Sequence, residues 1–242
     1  MTLKAVLFDL DGTLVNTLRL FPQLIAQEFM KKPTRRKVKG YLKRLGTFYN
    51  VRRNGAWYKH SWFSYQLFRG IKADFRISWL RLLQGLLRVT WQFLKWDQTI
   101  HVFPEVPETL RKLKQRGLKL AIVSNGSPRL LRKRFAPYLH FFDVLVDSKS
   151  ISYWKPSPKP IYYAIRKLGV SVDEVIFIGD TIVDLLAAKQ ARVKIVLVET
   201  GVFGLPVFTE VNYPPVAVIP VVGSEILNLT SRLKDNVENI IN

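Results

Sequence analysis

The sequence predicts an α/β protein whose doubly wound parallel sheet is interrupted by an inserted, all-helical subdomain. Short apolar runs rich in β-branched residues recur along the chain, and helix-length amphipathic segments separate them. Strand–helix alternation of this kind is typical of doubly wound sheets. A further observation predicts the insertion, because between residues 16 and 98 the strand-like runs disappear and the composition becomes basic and aromatic.

Five apolar runs are the predicted strands, and each ends at a polar or acidic residue. They are Ala5–Phe8, Leu120–Val123, Val144–Val146, Val175–Ile178 and Ile195–Val198. Continuous runs of this length indicate strands that are buried on both faces. Because ligands of doubly wound sheets bind at the carboxyl ends of the strands, we expect the polar residues that follow these runs to converge at one edge.

The segments between these runs have helical starts and stops. Predicted helices cover Pro107–Arg116, Pro128–Arg134, Pro160–Leu168 and Asp184–Lys189. Gly117 and Gly169 end two of them, and Ser127-Pro128 is a typical first turn.

The insertion differs from the rest of the chain in charge and in aromatic content. Residues 16–98 contain 18 Lys and Arg against three Asp and Glu, a net charge of +15, and five of the six tryptophans. Apolar residues recur there at helical spacing: Phe75, Trp79, Leu82, Leu83, Leu86, Leu87, Phe93 and Leu94. Arg81, Arg88 and Lys95 are seven residues apart and share another face. We therefore predict a core of residues 1–15 and 99–242 and a helical subdomain of residues 16–98.

Composition limits the chemistry that the chain can perform. Of its 242 residues, 48% are hydrophobic and 23% charged, which excludes intrinsic disorder. The absence of cysteine excludes disulfides, thiolate-bound zinc and cysteine nucleophiles. A net charge of +20 and a pI of 10.3 favour anionic partners.

The sequence also suggests a location. Residues 1–4 lead directly into a strand-like run, so we predict no signal peptide. The longest uncharged stretch, 211–224, contains three prolines and is shorter than the roughly 18 apolar residues that a spanning helix needs. We therefore expect a cytoplasmic protein without a membrane span.

Four polar segments follow or lie between the predicted strands in a fixed order. They are Asp9-Leu10-Asp11-Gly12-Thr13, Ser124-Asn125-Gly126, Lys155-Pro156-Ser157-Pro158 and Gly179-Asp180-Thr181-Ile182-Val183-Asp184. Together they resemble the four motifs of the haloacid dehalogenase superfamily, and the insertion resembles the helical cap of that family. The resemblance extends from about Leu3 to Gly201. It implies a Rossmann-like core and hydrolytic activity.

The residue types of these motifs favour magnesium. Four aspartates on one edge carry a formal charge of −4: Asp9, Asp11, Asp180 and Asp184. Each close pair repels by about 4 kcal/mol at an effective dielectric near 20. Lys155 offsets one charge and a divalent cation offsets two more. Because Mg²⁺ prefers a few carboxylates together with water and phosphate oxygens, we expect Mg²⁺ as the cofactor.

The resemblance implies a role for each motif residue. Asp9 would be the nucleophile that forms an aspartyl-phosphate, Asp11 the general acid and base, and Lys155 the cation that neutralises charge near the phosphoryl group. Magnesium ligands would be Asp9, Asp180 and the backbone carbonyl of Asp11, with Asp184 supporting them. Substrate-binding residues would be Thr13, Ser124, Asn125 and Gly126, near the start of the Pro128 helix.

Asp11 separates the branches of the family. The metal-independent dehalogenases lack an aspartate at this position, so its presence favours phosphoryl transfer, and a 2-haloacid dehalogenase is disfavoured. We therefore predict a phosphatase for small phosphate monoesters. A phosphomutase would share every core residue, so it stays an alternative. The chain departs from the family pattern at Asn16, often Asp in relatives, and at Arg192, usually Gly.

The basic, aromatic insertion allows several functions. It can be an ordinary cap whose aromatic residues form its own core and whose Lys and Arg are solvated. It can steer a highly phosphorylated substrate into the cleft. It can bind nucleic acid through its cations and exposed tryptophans, a hypothesis that ranks below a small phosphorylated substrate. Finally, the helix near residues 75–96 can lie on a membrane surface. The oligomeric state and the cap residues that select the substrate, among them Arg44, Arg52 and Arg53, are not determined by the sequence.

Overall fold

The computed structural model describes residues 2–16, 20–30, 60–96, 101–126, 135–147, 149–201 and 212–235. It divides the chain into two compact units. The core unit comprises Met1–Thr17, His101–Gly201 and Phe208–Asn242, and the insertion unit comprises Leu18–Ile100 with Val202–Val207. The sequence places the insertion at residues 16–98, and its role as a cap stays a prediction.

The described part of the chain contains six strands and seven α-helices. In chain order they are β1 (Ala5–Phe8), α1 (Leu20–Phe29), α2 (His60–Phe75), α3 (Trp79–Trp96), α4 (Val106–Gln115), β2 (Lys119–Val123), β3 (Val144–Val146), α5 (Lys159–Leu168), β4 (Val175–Gly179), α6 (Ile182–Ala191), β5 (Lys194–Val198), β6 (Ala217–Ile219) and α7 (Ser224–Asp235). Two short 3-10 helices, Ala136–Phe141 and Val172–Glu174, precede β3 and β4.

The six strands form one parallel sheet in the order β3-β2-β1-β4-β5-β6. All residues of β1 and β4 are buried, which explains why both strands are continuous apolar runs. The strand order reverses between β1 and β4. In a doubly wound sheet, a ligand crevice opens outside the carboxyl ends of the strands at that reversal. The prediction of a doubly wound parallel sheet is confirmed.

The predicted elements of the core correspond to observed ones, with small shifts at their ends. Helix α6 begins at Ile182, two residues before its predicted start, because the side chains of Thr181 and Asp184 cap its first turn reciprocally. The sequence did not indicate β6 or α7. Strand β6 has three residues, only one of them buried, and it follows a proline-rich stretch that carries no strand pattern. The helix predicted at Pro128–Arg134 lies outside the described residues.

The insertion unit has a small apolar core of its own. Helices α1 and α3 contribute most of its buried residues, which are Leu24, Ile25, Ala26, Phe29, Ile71, Leu82 and Val89. Gly85 allows α3 to approach α1 closely, because a Cβ at this position would collide with the Phe29 ring. Glu28 of α1 accepts hydrogen bonds from Arg81 at 2.5 Å and from Arg88 at 3.0 Å. We call these three residues the glutamate cluster.

The described part of the insertion agrees only in part with an ordinary cap that has an aromatic core and a solvated basic face. Phe29 and Phe75 stack within its core. Trp79, Leu83 and Leu87 belong to the predicted apolar stripe, yet each is about half or more exposed. The stripe covers two faces of α3, and only the face with Leu82 enters the core. Arg81 is ion-paired instead of solvated. No described helix is both long enough and apolar enough to cross a membrane.

Candidate active site

Two neighbouring strands deliver the first two aspartates to the point where the strand order reverses. Asp9 follows β1, and Asp180 follows β4. Phe8 pairs with Ile178 in the sheet register, and the backbone N–H of Asp9 donates to the Ile178 carbonyl at 2.8 Å. The two carboxylates therefore come from adjacent strand ends of a rigid sheet, and not from mobile loops.

Helix α6 adds a third carboxylate. Oxygen atoms of Asp9, Asp180 and Asp184 all lie within 4.8 Å of one another, and all three residues are buried. Asp184 is held by the cap of α6, because its Oδ2 accepts from the backbone N–H of Thr181 at 3.0 Å and from the Thr181 hydroxyl at 2.5 Å. We call the three aspartates together with Lys155 the acid cluster.

Lys155 joins two of these carboxylates. It lies on the loop between β3 and α5, and its side chain is almost completely buried. Its ammonium donates to Asp9 Oδ1 at 2.6 Å and to Asp184 Oδ1 at 2.7 Å. With all groups ionised, the acid cluster has a formal charge of −2, which leaves room for one divalent cation.

Burial determines the protonation behaviour of the acid cluster. Burial raises the pKa of Asp9 to about 7, although Lys155 opposes this shift, and Asp184 adds to it. The pKa of Asp180 is raised well above its usual value by burial and by repulsion from Asp184 and Asp9. Burial lowers the pKa of Lys155, but attraction to Asp184 and Asp9 outweighs it and raises the pKa overall. The acid cluster contains too little positive charge to balance its carboxylates, and these carboxylates keep the Lys155 ammonium protonated.

The donor set fits a magnesium ion. Asp180 Oδ2 is buried and accepts no hydrogen bond from any residue that the structure describes, which is a costly arrangement for a carboxylate unless a cation binds it. Asp184 presents both of its oxygens to protein donors, namely Lys155 and Thr181, so it suits the supporting role that the sequence predicts. Asp9 and Asp180 are the residues that would hold the ion, as hard oxygen ligands.

The loop after β1 fixes the position of Asp180. Gly12 has a φ of +90°, and a Cβ at this position would collide with the Asp180 carboxylate. The sequence predicts a substrate contact for Thr13. In the structure Thr13 is fully buried and its hydroxyl donates to Asp180 Oδ1 at 3.1 Å. The substrate contact of Thr13 stays a prediction. Asp11 lies in the same loop and is partly exposed.

The loop after β2 brings Ser124 and Gly126 next to Asp11. A Cβ on Gly126 would lie 3.1 Å from Ser124 Oγ and 3.4 Å from Asp11 Oδ2. The backbone N–H of Gly126 donates to Ser124 Oγ at 2.9 Å. Substrate contacts of Ser124 and Gly126 stay predictions. The Pro128 helix that was to complete this anion site lies outside the described residues.

Asn125 has a contact that the sequence did not suggest. Its Nδ2 donates to the Lys155 carbonyl at 2.9 Å, and its Oδ1 accepts from the Lys155 N–H at 2.8 Å. The predicted contact of this side-chain amide with phosphoryl oxygens stays a prediction. Asn125 connects the loop after β2 to the loop that carries Lys155.

Sequence reasoning missed two residues at the same edge of the sheet. The Thr200 hydroxyl donates to the Gly12 carbonyl at 2.5 Å, and Gly201 packs against the Asp180 side chain. Both residues follow β5, where a polar Glu199 ends the apolar run. The rule that polar residues after parallel strands converge at one edge would have found them.

The four motif segments thus meet at the reversal of the strand order, with an ammonium between two carboxylates. A family model for haloacid dehalogenase-like hydrolases matches residues 3–192. The chain is a haloacid dehalogenase-like hydrolase. The resemblance inferred from the motifs is confirmed.

Known relatives extend over most of this hydrolase. It is 28% identical over 204 residues to a phosphoglycolate phosphatase of Aquifex aeolicus (strain VF5), covering 82% of this chain and 86% of the relative. It is 26% identical over 198 residues to the pyrophosphatase PpaX of Bacillus cereus (strain AH820), covering 80% and 82%. The solved structure of a predicted phosphoglycolate phosphatase from Haemophilus somnus 129pt has a TM-score of 0.66 at 23% identity, covering 95% and 99%, and supports the fold.

Proposed function

We propose that this hydrolase is a Mg²⁺-dependent phosphatase of small phosphate monoesters that reacts through an aspartyl-phosphate. The observation that carries the proposal is the acid cluster, in which Lys155 binds Asp9 and Asp184 beside Asp180. Within the described part of the chain, the buried Oδ2 of Asp180 accepts no hydrogen bond. The names of the relatives, a phosphoglycolate phosphatase and a pyrophosphatase, support a phosphorylated substrate.

In the first step Asp9 attacks phosphorus. Lys155 holds Asp9 Oδ1, so the attacking atom is Oδ2. An O–P bond forms to Asp9, the ester P–O bond breaks, and Asp11 gives its proton to the leaving oxygen. Asp11 is suited to this role because it lies two residues from Asp9 and is less buried than Asp9. Its carboxyl group can therefore exchange a proton with a bound ester or with water.

In the second step water replaces Asp9 on phosphorus. Asp11, now ionised, takes a proton from the water, the P–O bond to Asp9 breaks, and phosphate is released. Asp9 and Asp11 return to their starting states, so the cycle consumes only water and the ester.

The remaining residues stabilise charge. Lys155 stays protonated next to Asp9 and offsets negative charge on the phosphoryl group. Ser124 and Gly126, which lie beside Asp11, would bind phosphoryl oxygens. A bound Mg²⁺ would supply Lewis-acid stabilisation of the phosphoryl oxygens and hold Asp9 ionised.

Turnover of phosphate esters by the purified protein tests the proposal. The panel contains 2-phosphoglycolate, pyrophosphate, hexose phosphates and p-nitrophenyl phosphate, each with Mg²⁺ and with EDTA. We expect phosphate release that requires Mg²⁺ and that Asp9→Asn lowers by about 10³-fold or more. Asp173→Asn is the matched control, because Asp173 is exposed and precedes β4 at the opposite end of that strand.

Four results would contradict the proposal. Absence of phosphate release from every ester, or full activity of Asp9→Asn, removes the phosphatase assignment. An isomerised sugar phosphate without free phosphate identifies a phosphomutase. Chloride release from 2-chloropropionate in EDTA identifies a dehalogenase.

A further inference from the structure

Helix α3 carries an exposed apolar face. Leu80, Leu83 and Leu87 follow one another at spacings of three and four residues, so they form one stripe along the helix. These three leucines are 58–66% exposed. We call them the leucine face. Trp79 and Trp91, each about half exposed, lie at its two ends.

The leucine face is distinct from the face that α3 uses for folding. Leu82 and Val89 are buried in the core of the insertion unit, and Leu86 packs against that core. A helix that is apolar on both sides is normally covered on both sides. The described residues of the insertion unit cover the face of α3 with Leu82 and Val89, and the leucine face stays exposed.

The described part of the insertion unit, which carries the leucine face, has an excess of positive charge. The described residues of the insertion unit, 20–30 and 60–96, contain six Lys and Arg against two acids, Glu28 and Asp74. Glu28 is already ion-paired with Arg81 and Arg88. The Lys72 ammonium lies 5.6 Å from the centroid of the Trp79 ring, so a cation adjoins one end of the face. The whole chain carries +20.

Of the possible occupants, an anionic bilayer matches both the leucines and the charge. A second copy of the chain would bring two basic surfaces together. Nucleic acid would satisfy the charge, but it offers stacking surfaces instead of a site for three leucines. A bilayer with anionic lipids accepts leucines below its headgroups, tryptophans at headgroup level and Lys or Arg beside its phosphates.

We propose that α3 binds the surface of anionic membranes, lying in the plane of the interface with the leucine face inserted. From Leu80 to Leu87 the stripe is about 10 Å long at 1.5 Å per residue, which suits shallow, reversible binding. The helix lies on the bilayer and does not span it, in agreement with the finding for the described helices. This surface function is independent of the phosphatase proposal.

Vesicle binding tests the proposal directly. The full-length protein is sedimented with vesicles of phosphatidylcholine alone and of phosphatidylcholine with 30% phosphatidylglycerol (an experimental choice of about one-third anionic lipid). We expect binding only to the anionic vesicles, weakening as salt rises because surface charges are screened. Absence of binding at low salt, or equal binding to both vesicle types, overturns the proposal.

Matched variants separate the leucine face from general electrostatic attraction. Leu83→Gln/Leu87→Gln removes apolar surface without changing the charge, and we expect it to lower the vesicle partition coefficient about tenfold. The control Val216→Gln/Val218→Gln changes two exposed apolar residues of the core unit and is expected to bind like the wild type. Equal binding of the leucine variant and the wild type contradicts insertion of this face.

Two further measurements distinguish the other occupants. If the chain's own residues cover the leucine face, the leucine variant loses thermal stability as a core substitution does, and the proposal fails. If a second copy covers it, sedimentation velocity without lipid shows a dimer that the leucine variant dissociates, and the proposal also fails. We expect an unchanged melting temperature and no change in mass between wild type and variant.

Discussion

The acid cluster of the core unit and the glutamate cluster of the insertion unit combine acidic and basic side chains in opposite proportions. In the core, one lysine lies between Asp9 and Asp184, and Asp180 is next to them. In the insertion, one carboxylate, Glu28, lies between two arginines. The first cluster is deeply buried and has excess acid, and the second is partly exposed and has excess base.

The pKa values follow this difference. Burial raises the pKa of Asp9 to about 7, and Lys155 does not compensate. Burial also raises the pKa of Glu28, but hydrogen bonds and attraction from its two arginines outweigh burial, and the net pKa is lowered. An acid whose pKa is raised costs stability when ionised, whereas an acid whose pKa is lowered contributes stability. Ionised Asp9 therefore costs stability in the core unit, whereas ionised Glu28 contributes stability in the insertion unit.

Neutralising Asp180 gives the largest expected effect and directly tests the contrast between the acid cluster and the glutamate cluster. Asp180→Asn keeps an acceptor for Thr13 but removes one charge from a repulsive cluster. We expect turnover to fall by about 10³-fold or more, while the melting temperature without Mg²⁺ does not fall. We also expect Mg²⁺ to stabilise the wild type and not the variant. Calorimetry with Mg²⁺ and with EDTA measures both; a variant that is less stable in EDTA would mean that the cluster serves folding.

The pH dependence of stability is the second test. Between its unfolded pKa near 3.8 and its folded pKa of about 7, Asp9 binds more protons in the folded state than in the unfolded state. Its contribution to the free energy of unfolding therefore falls as pH rises through this window, by about 4 kcal/mol in total. Urea unfolding in EDTA at pH 4–8, compared with Asp9→Asn, isolates this contribution. Parallel pH profiles of the two proteins would contradict the assigned cause.

Asn125 gives the third-largest expected effect, a lower catalytic rate that results from a displaced Lys155. Asn125→Ala removes both hydrogen bonds to the Lys155 backbone without touching the lysine charge. We expect kcat to fall about 10- to 100-fold, with little change in the Mg²⁺ concentration that half-activates the enzyme. The matched control is Asn228→Ala, an exposed asparagine on α7. If the Mg²⁺ requirement moves and kcat does not, Asn125 acts on the metal site instead.

Glu28 gives the smallest effect. Glu28→Gln removes the acid of the glutamate cluster, and we expect α1 and α3 to lose about 1 kcal/mol of protection in hydrogen exchange, because both arginines are partly exposed. Since the Glu28 pKa is lowered, this contribution is present above pH 4.5 and is lost as pH falls through the folded pKa. Glu108→Gln, an exposed surface pair with Arg111, is the control that should change nothing measurable.

Most of the core could be predicted from the sequence because its signals are local. A buried parallel strand is a continuous apolar run, and each of the five predicted runs is a strand of the sheet. Strand β6 was not predicted because it has only three residues, and at the edge of the sheet only one of them is buried. The insertion was harder, because an apolar spacing on α3 does not tell which of two faces is buried.

The site could be predicted in part for the same reason. Asp9 and Asp180 follow strands, so their meeting is determined by strand pairing. The partners of Thr13, Asn125 and Thr200 depend on where loops from different strands cross, and no spacing in the sequence contains that information. Each of these side chains has a hydroxyl or amide group that can form hydrogen bonds with a substrate or with a neighbouring residue, and the residue type does not tell which.

By itself, the sequence determined the strand–helix alternation, the order of the four motifs and the excess of positive charge, because each depends on residue type and spacing along the chain. Only the tertiary structure decided that Lys155 bridges two aspartates, that Asn125 holds the backbone of Lys155, and that leucines of α3 are exposed. The physical reason is that hydrogen bonds and burial between distant segments depend on distances that form only when the sheet assembles.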